Sequence, residues 1–341
     1  MIDKQNPLIS IIIPMYNAEE YVENIFNNLF QQTYTNYEII VAYDLKSTDK
    51  TLEILENIIQ RDDSKQIIID LNQDSSLGEA RNRGFKKANG EFIVSIDVDD
   101  ELMPDYLESF LKVFREFPEL NIVCCGVKRV ADRRILKSRV QMANETGEII
   151  LYDSQQAVLL NVTNQIPWGT WSHMVRREYM VENNISWPNY SIREDQTFTL
   201  RLLQHTTKLG YNTKPTYLYI QRKGSMVHKN FGESSEKLVD SRIEIVKILS
   251  DNYSEELYEW MLREKQMISA GFACKHDYSN YRLELHKAGI EKLYQSKYKQ
   301  NILKIISVVI FNCSKLLYYY GSRIINVKKN DLPLRKIWKN T

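Results

Sequence analysis

Three carboxylates fall within four positions, at Asp97, Asp99 and Asp100, directly after the apolar and β-branched run 92–96 (FIVSI). Carboxylates at that density repel one another, so a site of this kind calls for a cation. Hard divalent ions such as Mg²⁺ and Mn²⁺ prefer oxygen ligands, and Mg²⁺ commonly combines one or two carboxylates with substrate phosphates. The alternative is an acidic strand-to-helix turn, with Asp99 or Asp100 at the positive end of a helix near Pro104. Spacing leaves both open.

Other residues extend the candidate chemistry. Arg81, in the run 80–84 (ARNRG), is a fixed guanidinium that could pair with phosphate oxygens or a nucleobase edge, or simply a solvated charge on a helix. The run 191–196 (SIREDQ) is a second acidic site. Ser191 and Glu194 have the spacing of a capping box, and acids in a first helical turn suit the helix dipole. Asp195 could also serve as a general base, and a capped helix start is a rigid mount for one. On spacing alone the cap is favoured. Residues 217–225 (YLYIQRKGS) set Arg222 and Ser225 around a glycine, as a diphosphate clamp or an ordinary strand-end turn. His228 follows as a candidate third metal ligand, though a lone histidine is more often neither ligand nor catalyst.

The elements that must position these groups can be read from periodicity. Apolar runs at 8–14, 38–42, 67–69 and 92–96 predict strands, the first covered on both faces. Helical patterns follow each: from Asn17 through Phe30, after 47–49 through Ile58, over 78–88, and over 103–117 with Pro104 in the first turn. Residues 122–130 return as a strand, residues after Val140 are mixed and rich in aromatics, 195–204 reads as helix and 216–221 as extended. Four strand–helix alternations in a hundred residues predict a doubly wound, mostly parallel α/β sheet flanked by helices. Ligands of such sheets bind beyond the carboxyl ends of the strands, where Tyr16, Asp44 and residues 97–100 fall. No GxGxxG follows the first strand, which argues against a dinucleotide oxidoreductase.

Beyond Ser234 the pattern is wholly helical, predicting a catalytic domain at 1–231 and a helical region at 232–341. The 341 residues carry a net charge of +1, but residues 297–341 hold ten Lys or Arg against Asp331 alone, a local +9 that leaves −8 on the first 296. An acidic body with a basic tail suggests that the tail meets an anionic surface. Lys304 and Lys315 bound ten uncharged residues, well short of the ~20 needed to span a bilayer. The apolar stripe there suits either a helix packed on protein or an in-plane helix on lipid. Four cysteines without metal-type spacing suit a reducing cytosol, and the N-terminus lacks the pattern of a signal peptide. The expected location is cytoplasmic, with 297–341 as a peripheral contact for the inner membrane face. No nucleic-acid module is recognisable, and oligomeric state is not legible.

Taken in order, the segments SIIIPMYNAEEYV (10–22), QQTYTNYEIIV (31–41), STDKT (47–51), LGEARNRGFKKANGEFIVSIDVDD (77–100), WGTWSHMVRREYM (168–180), REDQTFTLRLL (193–203) and YLYIQRKGS (217–225) resemble the family 2 glycosyltransferases of the GT-A fold, a bacterial group that builds surface polysaccharides. The resemblance spans roughly residues 8–228. It implies that Pro14 and Tyr16 line a nucleotide pocket, that Asp44 contacts uracil or ribose, and that Arg81 sits near the base or diphosphate. It implies further that Asp97 approaches the sugar nucleotide, that Asp99 is the principal ligand of Mn²⁺ or Mg²⁺, and that Asp195, beside the substrate-side Glu194, is the catalytic base. Arg222 and Ser225 would lie near the diphosphate. One departure stands out. Where the family usually has Asp-Asp-Gly-Ser, this chain has Tyr43-Asp44-Leu45-Lys46-Ser47.

The implied activity is inverting transfer of a sugar from a nucleotide-sugar donor, expected to be a UDP-sugar, to a glycan or lipid-linked acceptor. The alternatives are a nucleotide-sugar-binding protein without catalysis, or a scaffold of a membrane assembly. The presence of both Asp99 and Asp195 argues against the first.

Overall fold

The computed structural model describes residues 6–61, 66–73, 76–130, 145–189, 194–221 and five positions between 241 and 249. The chain divides into two compact units, Met1–Arg282 and Leu283–Thr341, and every described residue belongs to the first. The expected boundary at 231/232, the basic tail, Arg222, Ser225 and His228 all lie outside the described residues.

Four strands run parallel: β1 (Ile9–Met15), β2 (Tyr37–Asp44), β3 (Gln66–Asn72) and β4 (Phe92–Ser95). They alternate with α1 (Val22–Phe30), α2 (Thr51–Arg61) and α3 (Leu77–Lys87). All seven residues of β1 are buried, because both faces of the sheet are covered. Ile9, Ile11, Ile13 and Met15 share one core with Ile25, Phe26 and Leu29 of α1 and Leu55 and Ile58 of α2. The next residue in the pleat, Ile12, faces the other way, toward Gly84 of α3. A Cβ at Gly84 would sit 2.6 Å from Ile12 Cγ2, so glycine there lets α3 lie directly on the sheet.

The second half adds antiparallel pairings; residues 122–130 form the expected strand, the stretch 216–221 is the end of a longer one, and the remaining strands are not legible from local pattern. After β5 (Glu101–Leu102) and α4 (Tyr106–Glu116) come β6 (Ile122–Val130), β7 (Ile149–Asp153) and α5 (Ser154–Val162). A 3₁₀ turn (Thr170–Ser172), β8 (His173–Arg176), α6 (Arg177–Glu182), α7 (Glu194–His205) and β9 (Lys208–Ile220) complete the described chain. The sheet order is β3-β2-β1-β4-β8-β6-β9-β5, with β7 also on β9. β8 is inserted antiparallel between β4 and β6, while β9 runs parallel to β6 along one edge and holds β7 and β5 along the other. The β6–β9 register shifts around Gly126, where a Cβ would come within 2.3 Å of the Thr213 carbonyl oxygen. Among the described residues no helix is long and apolar enough to cross a membrane.

Two local expectations change. The first helix starts at Val22 rather than Asn17. Asn17 instead takes a left-handed conformation (φ 45°) and ties its loop to the one after β2. Nor does Asp100 begin a helix: residues 101–102 pair with β9 first, and α4 starts at Tyr106.

Candidate active site

Every strand of the parallel half delivers its carboxyl end to one edge of the sheet, and the two loops leaving β1 and β2 are stitched together there. Asn17 Oδ1 accepts from Thr48 N, Ala18 N donates to Thr51 Oγ1, Glu19 N donates to Asp49 Oδ2, and Lys50 N donates to Glu19 Oε2, at 2.7–2.9 Å. Burial works against the charge of Asp49, yet the bonds it accepts from Glu19 N and from Thr51 N and Oγ1 hold its pKa below the ordinary value. The seam fixes the ground between Tyr16, which is 58% exposed, and Asp44, the last residue of β2. Asp44 Oδ1 accepts from Lys46 N at 2.9 Å, closing a turn. Pro14 is buried within β1, opposite Ala42. Tyr43, where the resemblance leads one to expect an acid, belongs to the core, and its carbonyl accepts from Arg83 Nη2.

Residue 81 occupies the next position. In a strand–helix crossover the helix starts at the strand's carboxyl end, so the first turns of α3 lie at the site edge. Ser76 caps α3 by accepting from Glu79 N. Arg81 and Gly84 are one turn apart, and Arg81 points inward with 1% exposure. Its Nη2 donates to Asp97 Oδ1 and its Nη1 to Glu194 Oε1, both at 2.8 Å. Burial opposes the guanidinium charge, but Asp97, Glu194 and Asp195 together raise its pKa. Both terminal nitrogens are therefore committed to protein carboxylates. Arg81 thereby forms an internal strut between the acidic run and α7, at the edge of the sheet where the resemblance implies it sits near the base or diphosphate.

Asp97, Asp99 and Asp100 each present a carboxylate oxygen within 4.8 Å of the others. All-oxygen donors at this spacing fit a hard divalent ion. Their other partners separate them. Asp100 is 1% exposed, and it accepts from Tyr217 Oη on Oδ2 (2.7 Å) and from Ile220 N on Oδ1 (2.8 Å). Burial, then Asp100 and Asp97, push the Tyr217 phenol well above its usual pKa, so it remains the donor. Asp100 thus fastens residues 97–100 to β9, and Asp97 gives one oxygen to Arg81. Asp99 is half-buried in the same run.

On α7, Asp195 is partly buried. Burial and the neighbouring Glu194 raise its pKa well above that of an ordinary aspartate, with Arg81 opposing. Its Oδ1 accepts from Gln196 N, and Oδ2 accepts no hydrogen bond from a described residue. The Glu194 carboxylate is taken up by Arg81, while Ser191, the other half of the expected capping box, lies outside the described residues.

An aromatic group that residue pattern does not single out lies beside these carboxylates. Trp171 stacks on Tyr217 (centroids 4.5 Å apart, 11° between planes) and on Tyr219 (5.6 Å, 14°). The Trp171 carbonyl also accepts from Tyr106 Oη at 2.5 Å. The only signal was the same-face alternation of Tyr217 and Tyr219 in a stretch read as extended.

Comparison with known proteins places this geometry in context. The family described as Glycosyl transferase family 2 matches residues 10–181, which includes the acidic run but ends before Asp195. An uncharacterized glycosyltransferase, EpsJ, of Bacillus subtilis is 29% identical over 223 residues, covering 64% of this chain and 63% of its own length. The poly(ribitol-phosphate) beta-N-acetylglucosaminyltransferase TarS of Staphylococcus aureus is 26% identical over 260 residues, 75% of this chain and 43% of TarS. The chain therefore spans less than two thirds of the length of these relatives. Among solved structures, residues 1–349 of S. aureus TarS in complex with UDP-GlcNAc superpose with a TM-score of 0.58 at 22% identity, covering 80% of this chain and 73% of that one. A Pyrobaculum calidifontis mannosyltransferase in complex with GDP-Man and Mn²⁺ gives 0.53 at 14% identity, covering 93% and 89%.

Proposed function

The chain belongs to glycosyl transferase family 2 and has the GT-A fold, and from that premise we propose that it moves a sugar from a UDP-sugar to a hydroxyl of a glycan or lipid-linked acceptor in surface polysaccharide synthesis, inverting the anomeric centre. The single observation that carries this reading is the Arg81 strut. It joins a carboxylate of a cation-type cluster to Glu194, the residue beside Asp195, so that in this reading a diphosphate-side group and an acceptor-side group are held by one side chain. The structure of S. aureus TarS in complex with UDP-GlcNAc supports the UDP-sugar part, and the names of TarS and of a Bacillus spizizenii poly(ribitol-phosphate) beta-glucosyltransferase support a polymeric acceptor.

In this reading Asp99 and Asp97 would hold Mn²⁺ or Mg²⁺, which when bound would supply Lewis-acid neutralisation of the departing diphosphate. Asp100 holds the run in place through Tyr217 and Ile220. Asp195 takes the proton of the acceptor hydroxyl on Oδ2, its other oxygen being held by Gln196 N. Its raised pKa makes it a stronger base than an ordinary aspartate, and positioned general bases are typically worth about 10²–10⁴ in rate. Asp44 and Tyr16 line the nucleotide end. Residues 297–341 are assigned to the anionic inner face of the membrane, where a lipid-linked acceptor would be found.

The test is a thermal-shift series on the full chain with UDP, UDP-GlcNAc and UDP-glucose in Mn²⁺, repeated in EDTA. Stabilisation by UDP and at least one UDP-sugar, lost in EDTA, is expected. No stabilisation by any of them overturns the donor assignment.

A further inference from the structure

β9 carries Tyr217 and Tyr219 on one face, two residues apart. They differ in surroundings. Tyr217 is fully buried and its hydroxyl is held by Asp100, while Tyr219 is partly exposed and its hydroxyl has no hydrogen-bond partner among the described residues. The Asp100 carboxylate bonds the chain on either side of Tyr219, through Tyr217 Oη and Ile220 N, so the backbone that presents Tyr219 is fixed. Trp171, itself partly exposed, lies nearly parallel to both rings and fixes their orientation. The phenol of Tyr219 has its pKa raised first by burial and then by Asp100, Asp97 and Asp195, with Arg129 opposing. The turn bearing Trp171 is tied to α7, the helix of Asp195, by Thr199 Oγ1 donating to the Trp168 carbonyl at 2.9 Å, and the strand bearing Tyr219 is tied to Asp100, so the two stacked rings sit beside both the acidic run and the helix of the candidate base.

A single-displacement transfer puts the reacting sugar between the departing diphosphate and the group that deprotonates the acceptor. A residue close to both therefore adjoins that sugar rather than the nucleoside or the far end of the acceptor. Ligand sites of this kind combine aromatic surface with a few fixed polar groups. We infer that Tyr219 and Trp171 form a wall of the subsite for the transferred pyranose, with the Tyr219 hydroxyl donating a hydrogen bond to a polar substituent of that ring. The inference rests on the donor reading above and adds a residue that discriminates one donor sugar from another.

The experiment titrates UDP, UDP-GlcNAc and UDP-glucose in Mn²⁺ against the full chain and against Tyr219→Phe and Tyr219→Leu, by calorimetry. The phenylalanine variant keeps the ring and its stacking on Trp171. It is expected to bind the preferred UDP-sugar about five- to tenfold more weakly, the size of one lost hydrogen bond, with UDP affinity unchanged. The leucine variant is expected to lose the difference between the UDP-sugars. Retained UDP binding reports a folded site in each case. Wild-type affinity and sugar preference in both variants would overturn the inference while leaving the donor assignment standing. Failure of the wild type to bind UDP or any UDP-sugar would overturn both.

Discussion

Arg81 and Glu194, 113 residues apart in the chain, meet in a 2.8 Å charged hydrogen bond with both side chains withdrawn from solvent. The pair fastens the first turns of α3 to the start of α7, and through the second arm of Arg81 both are fastened to Asp97. Removing one member leaves buried charge without its counterpart, which typically costs about 3–5 kcal/mol. Arg81→Met is therefore expected to lower stability by an amount in that range, read as a shift of the urea midpoint at unchanged slope. A loss under about 1 kcal/mol would mean that α7 is held by other contacts.

The pH dependence of transfer follows from Asp195. Its pKa is raised by burial and by Glu194, and the base works only when deprotonated. Activity is thus expected to rise with pH through a value above the ordinary aspartate range and to fall away on the acid side of it. Asp195→Asn should keep donor affinity and abolish the transfer that this limb reports. An acid limb at the usual aspartate pKa, or substantial turnover by the asparagine variant, would remove Asp195 from the role of base.

Asp99 and Asp100 are adjacent yet should fail in different assays. Asp99→Ala is expected to eliminate Mn²⁺-dependent binding of the UDP-sugar while leaving the fold intact. Asp100→Ala strands the buried Tyr217 hydroxyl and the Ile220 amide, so its first effect is a stability loss of about 2–4 kcal/mol from two buried donors. Thermal denaturation without ligand separates the two. Equal melting temperatures for both variants would contradict the division of labour.

Asp49 supplies a stability signature of its own. Its carboxyl has a lower pKa in the folded chain than the ordinary 3.8 because Glu19 and Thr51 donate to it. Its contribution is thus present above pH 3.8 and disappears as pH falls through the lowered folded value. Asp49→Ala is expected to cost about 1–2 kcal/mol at pH 7, with the gap between variant and wild type closing in strong acid. A gap independent of pH would show that the side chain acts by shape rather than charge.

The parallel half of the sheet was legible because strands buried on both faces write themselves as unbroken apolar runs, as β1 and β2 do. β7 and β8 were not, since four or five residues are too few to establish a period, and their pairing depends on β9 more than fifty residues away for β7 and on β4 and β6 for β8. The acidic run and Asp195 announced themselves through residue type. What spacing could not convey was partnership. Arg81 reads as a surface arginine on a helix until Gly84 is seen to press α3 on Ile12 and turn the guanidinium inward. Likewise Asp100 looks interchangeable with Asp99 until Tyr217 arrives beside it. Tyr219 was overlooked because a half-exposed tyrosine at a strand end has no distinctive sequence signature.

The clasp between Asp100 and β9 also has a consequence for the order of assembly. During synthesis the four parallel strands and α3 emerge within the first hundred residues, and domains tend to form from the N-terminus onward. The partners of Asp100 are made more than a hundred residues later, at Tyr217 and Ile220, and the partner of Arg81 at Glu194. A nascent chain that has exposed only β1 to β4 carries its acidic run unclasped and its inward arginine without Glu194. The sheet can precede its chemistry, and the site closes only once the ribosome has passed residue 220.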